Sequence, residues 1–172
     1  MATIAEEADV GAGTIYRYFD GKEDLIQQLY MEARQQAHRS VLCMGFDDDA
    51  SVRERLHTLW RAVILDYIDC PRRHRFILKL KYESPPHVQA AKRAQTEDLE
   101  APFREIYEDG VEQGLFRSLP KSVYASFLIG SVTQLVEEHL NGDTELDEAR
   151  IDQTFEMLWA AYTTEAPSAP TS

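Results

Sequence analysis

Positive charge is scarce in this sequence. Lys and Arg number 18 against 30 Asp and Glu, a formal net charge of −12. So acidic a chain has no general affinity for nucleic acid, and any contact with phosphates has to be local. Cysteine is nearly absent. Cys43 and Cys70 are too few for a disulfide scaffold or a zinc site, and they point to a reducing, cytoplasmic setting. No apolar run approaches the ~18 residues of a membrane span, and the N-terminus does not read as a signal peptide, so no membrane partner is expected. There is no strand pattern, repeat or low-complexity core. Catalytic motifs are missing too: no Gly-x-Ser-x-Gly, phosphate loop, Cys-x-x-Cys or His-Glu-x-x-His. The five histidines, His38, His57, His74, His87 and His139, are scattered. The expectation is therefore no enzyme, no cofactor and no metal.

What the chain does have is helical periodicity. With 44% hydrophobic residues there is enough apolar material for a core, and it recurs at three- and four-residue spacing. A long helix follows Asp20, which can cap it with Glu23 in the capping-box position. Its stripe is Leu25, Ile26, Leu29, Tyr30, Ala33, Ala37 and Val41, and it should end near Gly45. Ser51 caps a second helix carrying Val52, Leu56, Leu59, Trp60, Val63, Ile64, Tyr67 and Ile68, stopped by Cys70-Pro71. A shorter helix over 72–83 turns Phe76, Ile77 and Leu80 inward, before Pro85-Pro86 breaks it. A helix over 87–114 follows, apolar at Leu99, Phe103, Ile106, Tyr107 and Val111. Pro102 predicts a kink in it, and Gly114 sits at its C′ position. Residues 121–140 form a helix apolar almost all round, which needs burial on more than one side. The last helix runs over 146–163, and 166–172 is a disordered tail by composition. The fold class is all-α.

The first residues have a different character. Ile4, Ala5 and Ala8 give a short apolar face. Asp9 stands where the chain must reverse, and Asp tolerates a left-handed backbone. Val10 reads as the buried plug of the turn, and Gly11 as the N-cap of a second short helix. That helix carries Thr14, Tyr16 and Arg17 on one side, with Ile15, Tyr18 and Phe19 free to pack. Polar side chains on a short helix set by a tight turn are the helix-turn-helix arrangement.

The stretch from Ile4 to Leu25, with Gly13-Thr14-Ile15-Tyr16, Phe19 and Lys22-Glu23 in register, resembles the DNA-binding signature of the TetR/AcrR family of regulators. A Gly-Leu-Phe turn at 114–116 is similar to the family as well. The resemblance implies a ligand-responsive transcriptional regulator, usually a repressor. It would act as a homodimer on a palindromic operator and be released by a small-molecule effector. Tyr16 and Lys22 would contact phosphates; Gly13, Thr14 and Arg17 would lie nearest base edges; Thr3 and Ala12 complete the DNA-facing set. Two departures stand out. Family members carry a full helix ahead of this motif, whereas Met1 falls inside its second helix, so the resemblance implies an N-terminally truncated DNA-binding domain. Ala12 stands where the family often has Lys or another polar residue. The acidic balance persists even here: residues 1–45 hold Arg17, Lys22, Arg34 and Arg39 against seven acids. The alternative is a dimeric small-molecule-binding protein that has lost DNA binding.

The expected organisation is a partial DNA-binding region and connecting helix over 1–45, a ligand-binding and dimerisation domain over 46–165, and the tail. The resemblance favours an effector cavity walled by Trp60, Ile64, Tyr67, Phe76, Phe103 and Tyr107, the alternative for each aromatic being ordinary core. His57 and Arg73 are the candidate polar groups. Leu128, Val132 and Leu135 from one helix, with Phe155, Leu158, Trp159 and Tyr162 from the next, are the expected dimer interface. The basic run Arg72, Arg73, Arg75, Lys79 and Lys81 reads as a solvated helix face.

Overall fold

The structure, a computed structural model, describes residues 2–43, 45, 47, 49–83 and 100–163. Among these residues the regular structure is helical, with one isolated bridge between Phe116 and Thr163. The all-α expectation holds. The helices are α1 Ala2–Glu7, α2 Ala12–Tyr18, α3 Lys22–Leu42, α4 Val52–Asp69, α5 Pro71–Glu83, α6 Ala101–Glu112, α7 Lys121–Asn141 and α8 Glu148–Tyr162. None of them is long and apolar enough to cross a membrane.

Local chemistry sets most of the boundaries. Asp9 takes a left-handed conformation, φ 52°, so that Val10 N–H reaches the Ala5 carbonyl at 2.9 Å and Asp9 N–H reaches Glu6 at 3.2 Å. That pair of bonds closes α1 as a Schellman motif with Asp in glycine's usual place. Gly11 is the extended N-cap of α2. Ser51 caps α4 as expected, and Glu54 completes a capping box with it: the Glu54 carboxylate accepts from Ser51 N–H at 2.9 Å, and Ser51 Oγ accepts from Glu54 N–H at 3.3 Å. Gly114, φ 68°, ends α6 with Leu115 N–H on the Gly110 carbonyl at 2.9 Å.

Four local expectations are corrected. Val10 is 41% exposed and plugs nothing; Ala5 and Ile15 supply the buried contacts of the head. Asp20 does not cap α3. The first turn begins at Lys22, so Gly21 holds the cap position, and the Asp24 carboxylate reaches back to Asp20 N–H at 3.0 Å. The helix also ends at Leu42, before Gly45. Pro102 lies in the first turn of α6, where its missing N–H has no partner to lose, so it starts a helix instead of kinking one. The expected start at His87, the break at Pro85-Pro86, Leu99 and the 166–172 tail lie outside the described residues.

The body is organised around α4, which packs against α3, α5, α6, α7 and α8. Leu56, Trp60, Ile64 and Tyr67 are fully buried along it. Trp60 Nε1–H donates to the Ile151 carbonyl at 3.2 Å, so burying the indole leaves no orphaned donor. On the outer side of the α4–α8 contact, polar side-chain pairs recur one turn apart: Arg53–Glu156 at 2.5 Å, His57–Asp152 at 2.8 Å and Arg61–Glu148 at 2.6 Å. Against α5, α3 builds a smaller apolar cluster of Tyr30, Ala33 and Ile77 flanked by Phe76 and Leu80.

Candidate nucleic-acid interface and ligand cavity

The helix-turn-helix presents its polar residues outward. Ile15 is buried, while Thr14, Tyr16 at 59% exposure, Arg17 and Tyr18 stand free of the body. Arg17 Nη2 donates to Tyr18 Oη at 2.8 Å, and its guanidinium lies 5.0 Å from that ring centroid. This contact pre-orders a side chain that would otherwise lose rotamer entropy on docking. A Cβ at Gly13 would meet nothing within 4 Å, so α2 offers bare backbone there. Thr3 on α1 and Lys22 at the start of α3 are exposed. Ala12 opens α2; its side chain lies outside the described residues. All of these positions fall within one short stretch, and Thr3, Gly13, Thr14, Tyr16, Arg17 and Lys22 are exposed.

Between α3, α4, α5, α6 and α7 lies a cavity of about 220 Å³. Its wall is mostly apolar, with Val41, Leu59, Val63, Ile77, Leu78, Phe103 and Ile129 among its residues. Of the side chains expected to line a ligand site, it includes Tyr67 and Phe103 only. The others are placed elsewhere by definite partners. His57 is held by Asp152 on the outer α4–α8 surface. Trp60 and Ile64 face the interior core. Arg73 turns to Asp66, and Phe76 packs in the α3–α5 cluster. Tyr107 Oη donates to the Leu119 carbonyl at 3.1 Å.

Most of the residues expected at a dimer interface are taken up by the protomer itself. Leu128 and Val132 line the cavity, and Phe155, Leu158 and Tyr162 are buried in the protomer's own core. Leu135 and Trp159 are half-buried against that core. The faces of α7 and α8 turned away from it carry Phe127 at 56% exposure and Met157 at 73%, with exposed Gly130 between turns of α7. Because α7 is apolar around most of its circumference, spacing alone does not tell its inner from its outer row.

The polar groups of the cavity are arranged in two tiers. Inside is Asp66, 5% exposed. Its carboxylate accepts from Arg73 Nη2 and pairs with His74 Nε2 at 2.6 Å. Burial pushes this carboxyl up, but hydrogen bonds from His74, Ser40 and Arg73 outweigh it and hold the group below the usual carboxylate range. The His74 ring stacks on Tyr67 at 4.6 Å. Tyr67 Oη donates to Glu137 at 2.8 Å, and Arg75 grips the same carboxylate with two bonds of 2.7 and 2.5 Å. Burial first, and the Glu137 carboxylate second, push the Tyr67 phenol well above its ordinary value. At the rim are His38, Arg34 and Lys81 with Glu100; Arg34 Nη2 meets Glu100 Oε1 at 3.2 Å.

Residues 51–163 match the family model described as "Tetracyclin repressor-like, C-terminal domain", and residues 1–29 match "Bacterial regulatory proteins, tetR family". The chain belongs to the TetR family. It is a transcriptional regulator of that type and not an enzyme. Solved structures agree in fold. A TetR family protein from Vibrio parahaemolyticus is 23% identical with a TM-score of 0.78, covering 95% of this chain and 87% of that one. A TetR family transcription regulator from Marinobacter aquaeolei is 23% identical with a TM-score of 0.79, covering 93% and 82%. At such identities the likeness is one of fold alone.

Within a TetR-type protein, the α3 wall residues Arg34, Ala37, His38 and Val41 are among those that sequence reasoning missed. They stand at positions i, i+3, i+4 and i+7, a single helix face. The polar members Arg34 and His38, set beside Ala37 and Val41 on that face, were the available signal.

Proposed function

We propose that this chain is a homodimeric repressor, released from a palindromic operator when a small molecule fills the cavity over α3. The observation that carries the reading is that Arg34, Ala37, His38 and Val41 of α3 form part of the cavity wall. The same helix begins three residues after Phe19, directly behind the DNA-facing α2. A ligand in the cavity therefore touches the element on which the head is mounted. Binding energy that differs between two settings of α3 shifts the heads between them.

In this reading residues 1–45 are the DNA-binding region with its connecting helix, and 46–165 the ligand-binding and dimerisation domain. Tyr16 and Lys22 neutralise phosphates, and Gly13, Thr14 and Arg17 read base edges, with Thr3 and Ala12 at the margin. The outer rows of α7 and α8, around Phe127, Gly130 and Met157, meet a second copy across a two-fold axis. Two heads so related read half-sites about 34 Å apart or a multiple of it. The test is selection of duplex DNA from a random library by the purified chain. Enrichment of a palindrome of two half-sites supports the reading. A chain that enriches no sequence at low salt refutes it, and favours the dimeric binding protein without DNA function.

A further inference from the structure

We propose that the cavity takes a compact, neutral molecule with an apolar body and a hydroxyl group, a simple phenol being the type, and that this hydroxyl donates a hydrogen bond to Asp66. The inference rests on the reading of the cavity as the effector site and names the chemistry of its ligand. The cavity holds about 220 Å³, more than the roughly 150 Å³ that suffices for benzene. Leu59, Val63, Leu78, Phe103, Leu128 and Val132 give it an apolar wall, which selects an apolar body.

The deep polar groups decide the other end. Among the described residues these are Asp66, Tyr67, His74 and Thr133. Their hydroxyl hydrogens are already spent: Thr133 Oγ1 donates to the Ile129 carbonyl at 2.7 Å, and Tyr67 Oη donates to Glu137 at 2.8 Å. His74 spends Nε2 on Asp66. A ligand that brings only an acceptor finds no hydroxyl donor in this tier, whereas one that brings a donor finds oxygen lone pairs. Asp66 is the strongest of these acceptors, because its partners hold it as a carboxylate. Arg73 binds one of its oxygens and His74 the other. With the bond from Ser40, three of the roughly four acceptor positions of a carboxylate are filled, which leaves one. The charge of the ligand follows from the same residues. An ammonium at that position would stand beside the Arg73 guanidinium on one carboxylate, and would give up its hydration inside an apolar wall. An anion would face the Asp66 charge itself. A neutral hydroxyl meets neither cost, and its bond to a carboxylate is of the strong, charge-assisted kind. Asp66 stands on α4 and its partners on α5 and, in Ser40, on α3, so the ligand bond falls where the head-bearing helix meets the body.

The experiment is calorimetric titration of the full chain at neutral pH, where simple phenols are un-ionised, with para-cresol, para-methylanisole and para-ethyltoluene. All three carry the same methyl-substituted ring. The last two match in size, and only the cresol donates a hydrogen bond. Para-cresol is expected to bind about tenfold more tightly than para-methylanisole, the scale of a hydrogen bond to a charged group. Para-chlorophenol, close to the cresol in size and more acidic, should show a wider margin over its own methyl ether, because a stronger acid donates a stronger bond to an anionic acceptor. Asp66→Asn, checked for folding by circular dichroism, replaces the charged acceptor by a neutral one and should cut the cresol margin to about threefold, since charge-assisted bonds are roughly twice as strong as neutral ones. The acidity comparison uses the unaltered chain, so it decides the matter if Asp66→Asn does not fold. Equal affinity for para-cresol and para-methylanisole, a margin unmoved by acidity, or an undiminished margin in folded Asp66→Asn overturns the bond to Asp66 while leaving the cavity a ligand site. Failure of every probe to bind overturns the ligand class and the cavity reading together.

Discussion

Gly110 lies in the last turns of α6 with the Phe116 ring folded back over it. A Cβ built there would stand 2.4 Å from Phe116 Cε2, 2.5 Å from Cδ2 and 2.8 Å from Cζ. The ring has little room to retreat, because Tyr124, Tyr162 and Trp159 surround it at centroid distances of 5.4, 5.7 and 6.1 Å. Two effects oppose each other in Gly110→Ala. Alanine is the better helix former by about 1 kcal/mol in a helix interior. Overpacking a filled core costs about 1–3 kcal/mol. Overlap with three ring atoms puts this site at the upper end, so the net loss should be about 2 kcal/mol. For a chain of this length that lowers Tm by roughly 4–8 °C. The measurement is thermal and urea unfolding followed by far-ultraviolet circular dichroism, at one fixed protein concentration because association shifts apparent stability. Phe116→Leu shortens the obstructing side chain, so in the double variant Gly110→Ala should cost much less than it does alone, a coupling that a double-mutant cycle reads directly. A Gly110→Ala protein as stable as the parent, or more so, refutes the close approach and the reason given for glycine at this position.

Three further outcomes are expected. Asp66 has a folded pKa below its unfolded value, so its stabilisation is present above the ordinary carboxylate pKa of about 3.9 and is lost as pH falls from there through the folded value; Asp66→Asn should flatten that part of the acid limb in pH-dependent urea unfolding and cost about 3 kcal/mol at neutral pH, since it strips a buried pair of one partner. Phe127→Asp and Met157→Asp, on the exposed rows of α7 and α8, should give folded monomers by light scattering, whereas Leu128→Asp should unfold the protein by circular dichroism; folded dimers from both surface variants would move the interface elsewhere. Lys22→Ala should weaken binding to all duplexes about equally and reduce the salt slope by about one in fluorescence anisotropy, and an unchanged slope removes Lys22 from the contact set.

The sequence by itself determined what depends on neighbours within one or two helical turns. Helical spacing placed α4, α5, α7 and α8 close to their observed ends, because each needs one apolar row at 3.6-residue period to be buried at all. Ser51 as a cap, Asp9 with its positive φ, and Gly114 at the close of α6 act through bonds to residues three to five positions away, so they could be read directly. The helix-turn-helix stretch was legible for the same reason, since its positions are contiguous. Tertiary structure alone decided which helix meets which face. Five other helices surround α4, so its periodicity could not say that Trp60 turns to Ile151 while Tyr67 turns to the cavity. Phe127 and Leu128 are adjacent apolar residues on an all-round apolar helix, and only packing sends the second inward and leaves the first exposed. Arg34 and Glu100 are 66 positions apart, and Tyr67 and Glu137 are 70. Contacts over such separations leave no periodic trace in the chain, because they depend on how whole helices cross and not on the spacing within any one of them.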